Sequence, residues 1–406
     1  MFNDMKKRFL FVIAIVFSVT MCSQNSSLNS IVESNNDFSF DVLKQINNSD
    51  TSKSGSNMFI SPFSIYDALA MAYDGANKKT ATEMRKVLKF KKDQSESHKD
   101  FANLLKEYKA DKSVFTISNA AVAQKSYNFL ESYMNCLKDF DATISQADFS
   151  NDADRNEAVK RVNEWVAKNT NNKITDLITK NDVNELTRLI LLNAIYFNAK
   201  WDIEFKGEKT RQMTFYGKNS VEYVTDFMNG TQDVGLGESD DVQIMKINYE
   251  KGKASMYIIM PKEKVDIDKY IADLDIEKFD KLSQSLQTFK ADVSMPKFKI
   301  ESRFEMKKYL MDLGIKAAFS KSADFSKMNG KSNLLIDEVI HKSFIEVSEK
   351  GTEAAAATAV IVREKTAMIN KNPKVTINRP FVFVIKENKN NAILFAGKYV
   401  KPENSK

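Results

Sequence analysis

The stretch from Glu349 to Ala367 reads Glu-Lys-Gly-Thr-Glu-Ala-Ala-Ala-Ala-Thr-Ala-Val-Ile-Val-Arg-Glu-Lys-Thr-Ala, and it constrains the fold of this 406-residue chain more than any other segment. By propensity alone, four alanines between Glu and Thr suit a short helix or an indifferent linker. Period two is more informative. In an extended conformation Thr352, Ala354, Ala356, Thr358, Val360 and Val362 share one face, and Glu353, Ala355, Ala357, Ala359, Ile361 and Arg363 share the other. The first face is small or apolar and uncharged, while both charges fall on the second. Such a strip can slide into a sheet with one side buried. It begins at Gly351, a natural pivot, and runs on into Arg363, Glu364 and Lys365, a polar stretch without predicted structure. Basic residues on an exposed loop invite trypsin-like proteolysis.

The rest of the chain mixes helices and strands without a repeat. Ser61-Pro62, then Ile65, Ala68, Leu69 and Ala72, then Gly75, supply an N-cap, a proline at the first helical position, an apolar stripe and a terminal glycine. Further helical patterns cover Thr80 to Leu88, His98 to Tyr108, Phe129 to Leu137, Ala153 to Ala167 and Arg303 to Leu313. Strand-like runs cover Val114 to Ala123, Arg188 to Phe197, Val242 to Asn248, Ala254 to Met260, Ala291 to Ile300, and Phe381 to Ile385 paired with Ile393 to Val400. Lys251-Gly252-Lys253 reads as the turn of a hairpin. Strands and helices do not alternate regularly, which favours a mixed α+β architecture over a doubly wound parallel sheet. No break in composition marks a second domain.

The amino terminus reads as a targeting segment. Lys6, Lys7 and Arg8 precede an apolar run from Phe9 to Phe17, too short to span a bilayer as a helix. Residues 1–21 are therefore expected to be a signal peptide. Cys22 directly follows, as in a bacterial lipoprotein, and would become the lipidated first residue; Met21 departs from the small residue preferred there, and ordinary cleavage nearby is the alternative. The Ser- and Asn-rich stretch 22–36 is expected to be a flexible tether, with a single domain over 37–406.

Familiar chemistry is scarce. The chain has two histidines, His98 and His341, and two cysteines, Cys22 and Cys136. That leaves little room for a histidine-rich metal site, and no metal or cofactor is expected. With Cys22 lipidated, Cys136 alone cannot form an internal disulfide, and its helical surroundings suit a buried structural thiol rather than a nucleophile. No glycine-rich phosphate loop, Gly-x-Ser-x-Gly elbow, His-Glu-x-x-His helix or Cys-x-x-Cys pair occurs. Removing the signal lowers the net charge from +6 to +4, too mild to argue for nucleic acid. Arg85, Lys86, Lys89, Lys91 and Lys92 form a basic stretch, read as a solvated helix end beside Glu83 and Asp93, with a polyanion site as the alternative.

Against that background the chain resembles the serpin family. The resemblance runs from about Asp37 to Pro402 and rests on motifs in order: Asn57-Met58-Phe59-Ile60-Ser61-Pro62-Phe63-Ser64-Ile65, Leu192-Asn193-Ala194-Ile195-Tyr196-Phe197-Asn198-Ala199-Lys200-Trp201, Met295-Pro296-Lys297-Phe298, His341-Lys342, Asn378-Arg379-Pro380-Phe381, and the strip beginning at Glu349. It implies a serpin fold with about nine helices, three β-sheets and an exposed reactive-centre loop over about 349–375. It also implies a protein that is not an enzyme but a suicide-substrate inhibitor. A protease cleaves the loop, is held as an acyl-enzyme, and is carried away as the loop inserts in the large sheet. Family spacing places the reactive bond at Lys365-Thr366, with Arg363-Glu364 as runner-up and Val362-Arg363 or Ile361-Val362 for elastase-like enzymes. The lysine points to trypsin-like serine proteases. Glu349, Gly351, Thr352, Glu353, Ala354, Ala355, Ala356 and Ala357 would form the hinge, Ser61, Ser64, Asn193 and His341 the shutter beneath the sheet, and Trp201 the breach at its top. Expected partners are a target protease in a covalent 1:1 complex and a membrane only through a lipid on Cys22, for an exported, monomeric protein. The alternative is a serpin-fold binding or decoy protein, cleaved without trapping.

Overall fold

A computed structural model describes residues 28–49, 55–110, 115–140, 142–352 and 372–403. Its first helix, α1 (28–49), begins inside the expected tether and corrects it. Leu28, Ile31, Val32, Phe38, Val42 and Ile46 are buried at helical spacing. Asn35 and Asn36 donate their amides to the carbonyls of Ile393 and Asn391, so the polar residues that suggested a linker are fastened across the fold.

Strand β1 (Met58–Ile60) leads into α2 (Pro62–Gly75), which Ser61 caps by accepting from the Ser64 N–H. The expected one-sided stripe understates this helix. Every residue except Asp74 is buried, because α2 packs against strands of both sheets. Then come α3 (Lys78–Val87), α4 (Gln94–Ala110), β2 (Phe115–Gln124), α5 (Glu131–Asp139), β3 (Thr143–Ala147) and α6 (Asp152–Asn169). Strands β4 (Leu189–Phe197), β5 (Ala199–Lys200), β6 (Arg211–Tyr216), β7 (Glu222–Glu238), β8 (Val242–Asn248) and β9 (Ala254–Pro261) follow. The chain continues through α7 (Ile267–Asp273), α8 (Ile276–Gln284), β10 (Gln287–Pro296), β11 (Phe298–Glu305), α9 (Lys307–Leu313) and α10 (Ser326–Asn329). Last come β12 (Glu338–Ser348), β13 (Gly351–Thr352), β14 (Lys374–Thr376), β15 (Phe381–Glu387) and β16 (Ile393–Tyr399).

The described residues thus form ten α-helices and two sheets rather than nine and three. The nine-stranded sheet runs β1-β16-β15-β9-β8-β7-β10-β14, with β6 also on β7. It stays continuous because β7 is 17 residues long: one end pairs with β6, the other with β8, and β10 spans the middle. The seven-stranded sheet runs β3-β2-β4-β12-β13-β5, with β11 on β12. The single strand expected over Ala291 to Ile300 is two, because the chain leaves one sheet at Pro296 and joins the other at Phe298. Arg303 to Glu305, expected to open a helix, continue β11, where Phe298, Ile300, Ser302 and Phe304 alternate as its buried face. The hairpin at Lys251-Gly252 forms as expected, between β8 and β9, with φ of 61° and 63° at those two residues. β14 begins at Lys374, so the loop ends slightly earlier than 375.

Two apolar cores result. The larger lies between the sheets around α2. The smaller lies under α6, where Val162 and Val166 cover Val122, Ile190, Leu192 and Ile340 of the seven-stranded sheet. This positions a helix over the strands that matter below.

Candidate functional site

The middle of the seven-stranded sheet is only partly zipped. β4 and β12 are parallel and pair only from Ile190–Ala194 to Glu338–Lys342. Beyond Lys342 they part. Higher up, β13 is wedged between them in antiparallel register, with Thr352 opposite both Val347 and Ala199 and Gly351 opposite Ser348 and Lys200. Between these two zones, Ser343 to Glu346 pair with no strand on that side among the described residues. Unpaired strand edges facing each other across such a gap form a template for one more strand.

The wedge is built by specific contacts. Gly351 has φ +143°, and a Cβ there would lie 2.2 Å from the Ala199 carbonyl oxygen, so only glycine fits the pivot. Thr352 is 1% exposed, and its hydroxyl meets the Tyr249 hydroxyl at 2.7 Å. Trp201 stacks on Tyr249 at 4.6 Å, donates from Nε1 to the Ser348 carbonyl and from its backbone N–H to Lys350. The Phe205 N–H donates to the Glu349 carbonyl. Burial pushes the Glu349 carboxyl up, but the Thr210 hydroxyl at 2.7 Å and the Lys297 ammonium at 3.2 Å outweigh it and hold the group below its ordinary range. Glu349 is therefore fastened by Thr210 and Lys297, and the chain turns into the sheet at Gly351. Trp201 is a hydrogen-bonding strut as well as an apolar one beside β13. Tyr249 was not foreseen, since nothing local marks it apart from other strand-end aromatics.

At the lower end of the gap lies a buried polar cluster. The Ser61 N–H donates to His341 Nε2 at 3.0 Å, and the Ser61 hydroxyl donates to the Leu394 carbonyl at 2.8 Å. Ser64 is buried one turn on. Asn193 falls opposite both His341 and Asn119 in the strand register. Asn119 in turn donates to the carboxylate of Asp67 on α2. Asp67 and Asn119 were missed by sequence reasoning, although an acidic residue inside an otherwise apolar helix is a usable signal. Lys342, 4% exposed, marks the level where pairing stops: it reaches Glu301 on β11 and Asp176 before β4, each at 2.7 Å.

His341 carries a pH consequence. Burial pushes its pKa down to about 3, so the native ring stays neutral where the unfolded ring, near 6.5, takes up a proton. A depressed histidine pKa means stability that is complete above about pH 7 and is lost toward pH 3, by about 1.4 kcal/mol per pH unit for this one group. The urea midpoint is expected to fall between pH 6.5 and 4.5, and His341→Gln to flatten that part of the profile. His98 acts in the opposite direction, its pKa raised by Asp74, so the difference between variants is the quantity to read. Identical slopes in both proteins would remove this role.

Glu353 and Ala354 to Ala357 of the hinge, both candidate reactive bonds, Lys365-Thr366 and Arg363-Glu364, and Cys22 lie outside the described residues. The basic stretch is largely neutralised: Lys89, Lys91 and Lys92 pair with Asp41, Glu33 and Asp100 at 2.9, 2.6 and 2.6 Å. Cys136 is half-buried on α5, and burial pushes its thiol up, away from nucleophilic use.

The sheet thus has a gap at its centre, a short strand turned into that gap at Gly351 and a buried polar cluster below it. A family model described as Serpin (serine protease inhibitor) matches residues 33–402. An uncharacterized serpin-like protein of Thermococcus kodakarensis is 36% identical over 378 residues, covering 92% of this chain and 86% of that protein. Intracellular coagulation inhibitor 2 of Tachypleus tridentatus is 34% identical over 404 residues, covering 95% and 96%. Human thyroxine-binding globulin, solved in complex with thyroxine, superposes with a TM-score of 0.84 at 27% identity, covering 93% of this chain and all of that one. The chain belongs to the serpin family. At the family's level the activity is inhibition of proteases, not catalysis.

Proposed function

We propose that this serpin traps serine proteases as a suicide substrate. The protease serine attacks the Lys365 carbonyl carbon, the bond to Thr366 breaks with its amine leaving protonated, and an ester joins Lys365 to the enzyme. The freed loop then inserts between β4 and β12 before water can hydrolyse that ester. Serpin loop insertion is itself a recognised instance of strand addition and of strain released by cleavage.

The observation that carries this reading is β13. It already runs antiparallel to both neighbours, so its continuation needs no change of direction. Extending that register, Ala354 would meet Ile345 and Phe197, Ala356 would meet Ser343 and Ile195, and Thr358 would arrive between His341 and Asn193. In that extension the uncharged face of the strip would point toward the larger core, and its one mid-strand hydroxyl would reach the polar cluster. From Thr352 to Lys365 an extended chain spans about 45 Å, enough to carry the protease to the far end of the sheet.

Lys365 favours trypsin-like enzymes, and Glu364 beside it narrows that set. The protein acts as a monomer in a 1:1 complex. The basic and apolar residues before Cys22 support export, with a lipid on that cysteine. Among the described residues no helix is long and apolar enough to cross a membrane. Mass spectrometry after partial reaction with trypsin reads both ends of the chain: the account expects a fragment beginning at Thr366 and an acylated Cys22 at the mature start. A fragment beginning at Glu364 moves the reactive bond to the runner-up, and an unmodified start elsewhere removes the anchor.

A further inference from the structure

Away from the sheet, three helices bring together a set of side chains that protease trapping does not use. Asp74 lies in the last turn of α2, His98 in the first turns of α4 and Cys136 in the middle of α5. A carboxylate oxygen of Asp74, a ring nitrogen of His98 and Sγ of Cys136 all lie within 4.8 Å of one another. We propose that Asp74, His98 and Cys136 form a binding site for a divalent cation of the zinc type.

The donor set is one borderline nitrogen, one soft sulfur and one carboxylate oxygen. That mixture suits zinc and disfavours calcium or magnesium, which take oxygen ligands almost alone. Around a tetrahedral zinc, bonds of about 2.0–2.3 Å place donor atoms roughly 3.3–3.8 Å apart. His98 Nδ1 and Asp74 Oδ2 stand at 2.5 Å, and the sulfur stands within 4.8 Å of a donor atom of each residue, so side-chain adjustment of about an ångström makes the cage. Three protein ligands leave a fourth position for water.

A second observation points the same way. His98 Nε2, the ring nitrogen not bonded to Asp74, lies 3.2 Å from Asp139 Oδ2. A histidine ligand commonly donates its other N–H to a carboxylate, which fixes the ring and raises its basicity. Asp139 follows Cys136 by one helical turn, so α5 supplies both a ligand and the group that orients another. Phe140 flanks the ring at 5.4 Å between centroids. Lys106, 3.5 Å from Asp139, sits on that outer side. The imidazole and the Asp74 carboxylate are 14% and 6% exposed, giving a sheltered site that water still reaches. The three ligands are scattered along the chain, which is why no spacing motif announces them. A bound ion would pin α5, the link between β2 and β3, to α2 and α4.

The test uses the full chain with Cys22→Ser, so that Cys136 is the single thiol, stripped with a chelator and titrated with Co(II). One equivalent should produce a thiolate-to-cobalt charge-transfer band and visible bands of tetrahedral intensity, both erased by Zn(II). Cys136→Ala should remove the charge-transfer band, and Asp139→Asn should weaken binding by about 10–100-fold. In the chain without substitutions at the site, Zn(II) should protect Cys136 from alkylation and raise the thermal midpoint, so the result does not depend on a variant folding. No thiolate band together with undiminished alkylation would overturn the proposal, leaving a histidine held between two carboxylates beside a bystander thiol.

Discussion

Thr352→Arg is expected to abolish the covalent complex and leave a protein that trypsin simply clips. Thr352 occupies the first inward position of the wedge, buried between Val347 and Ala199 with its hydroxyl on Tyr249. A guanidinium there would lose its water with a single neutral oxygen in reach, and an unpaired buried cation costs several kcal/mol. In the intact variant the arginine is expected to leave the wedge for water, so the cost returns when the loop must enter past this position, and it spares cleavage because the reactive bond is thirteen residues away along the chain. A barrier raised by about 4 kcal/mol slows insertion roughly a thousandfold, while hydrolysis of the ester keeps its rate. The competition then goes to hydrolysis. Denaturing electrophoresis of an equimolar mixture should show clipped protein and active protease. Thr352→Val, which keeps the shape and loses only the Tyr249 contact, should still trap. Full complex formation by the arginine variant would show that the loop does not enter past Val347 and Ala199.

The second large effect is thermal. Cleavage of the loop by a protease that is then removed should raise the melting temperature on the order of 10–30 °C. Each new main-chain hydrogen bond contributes about 1 kcal/mol net, and the uncharged face adds burial, so an inserted strand of about ten residues contributes on the order of 10 kcal/mol. For a domain of this size each kcal/mol corresponds to a few degrees or less. In the intact fold Ser343 to Glu346 lack a partner on one side among the described residues, the place such a strand would fill. Scanning calorimetry of intact and cleaved protein measures it. Equal midpoints would mean that the gap is not filled after cleavage and that the native state stores nothing.

Much of the site can be read before any coordinates, and the reason is physical. A strand entering a sheet must obey period two, so the uncharged face from Thr352 to Val362 is visible in the sequence itself. Ser61 is legible as a helix cap, and the structure adds that its N–H faces His341. What escapes local reading depends on partners distant in the chain. The asparagines of α1 look like a linker until Asn391 and Ile393 are beside them. Asp67 and Asn119 satisfy each other across the interior, 52 residues apart. The count of sheets turns on β7, which stays extended through Asn229-Gly230, residues that read locally as a turn, because β10 pairs with it there. That the hinge is already seated at Thr352, rather than free outside the sheet, depends on Gly351, Tyr249 and Trp201 together, and no single one of them states it.

On the proposed mechanism, cleavage and insertion together trap the enzyme. The most direct measurement of this is denaturing gel electrophoresis, after heating in detergent, of the protein mixed with trypsin. A band is expected near the summed masses of protease and serpin less the short carboxyl-terminal fragment, absent when the protease serine is replaced by alanine. Clipped serpin alone, with protease activity intact, would contradict it and favour a serpin-fold protein that is cut as a substrate without trapping.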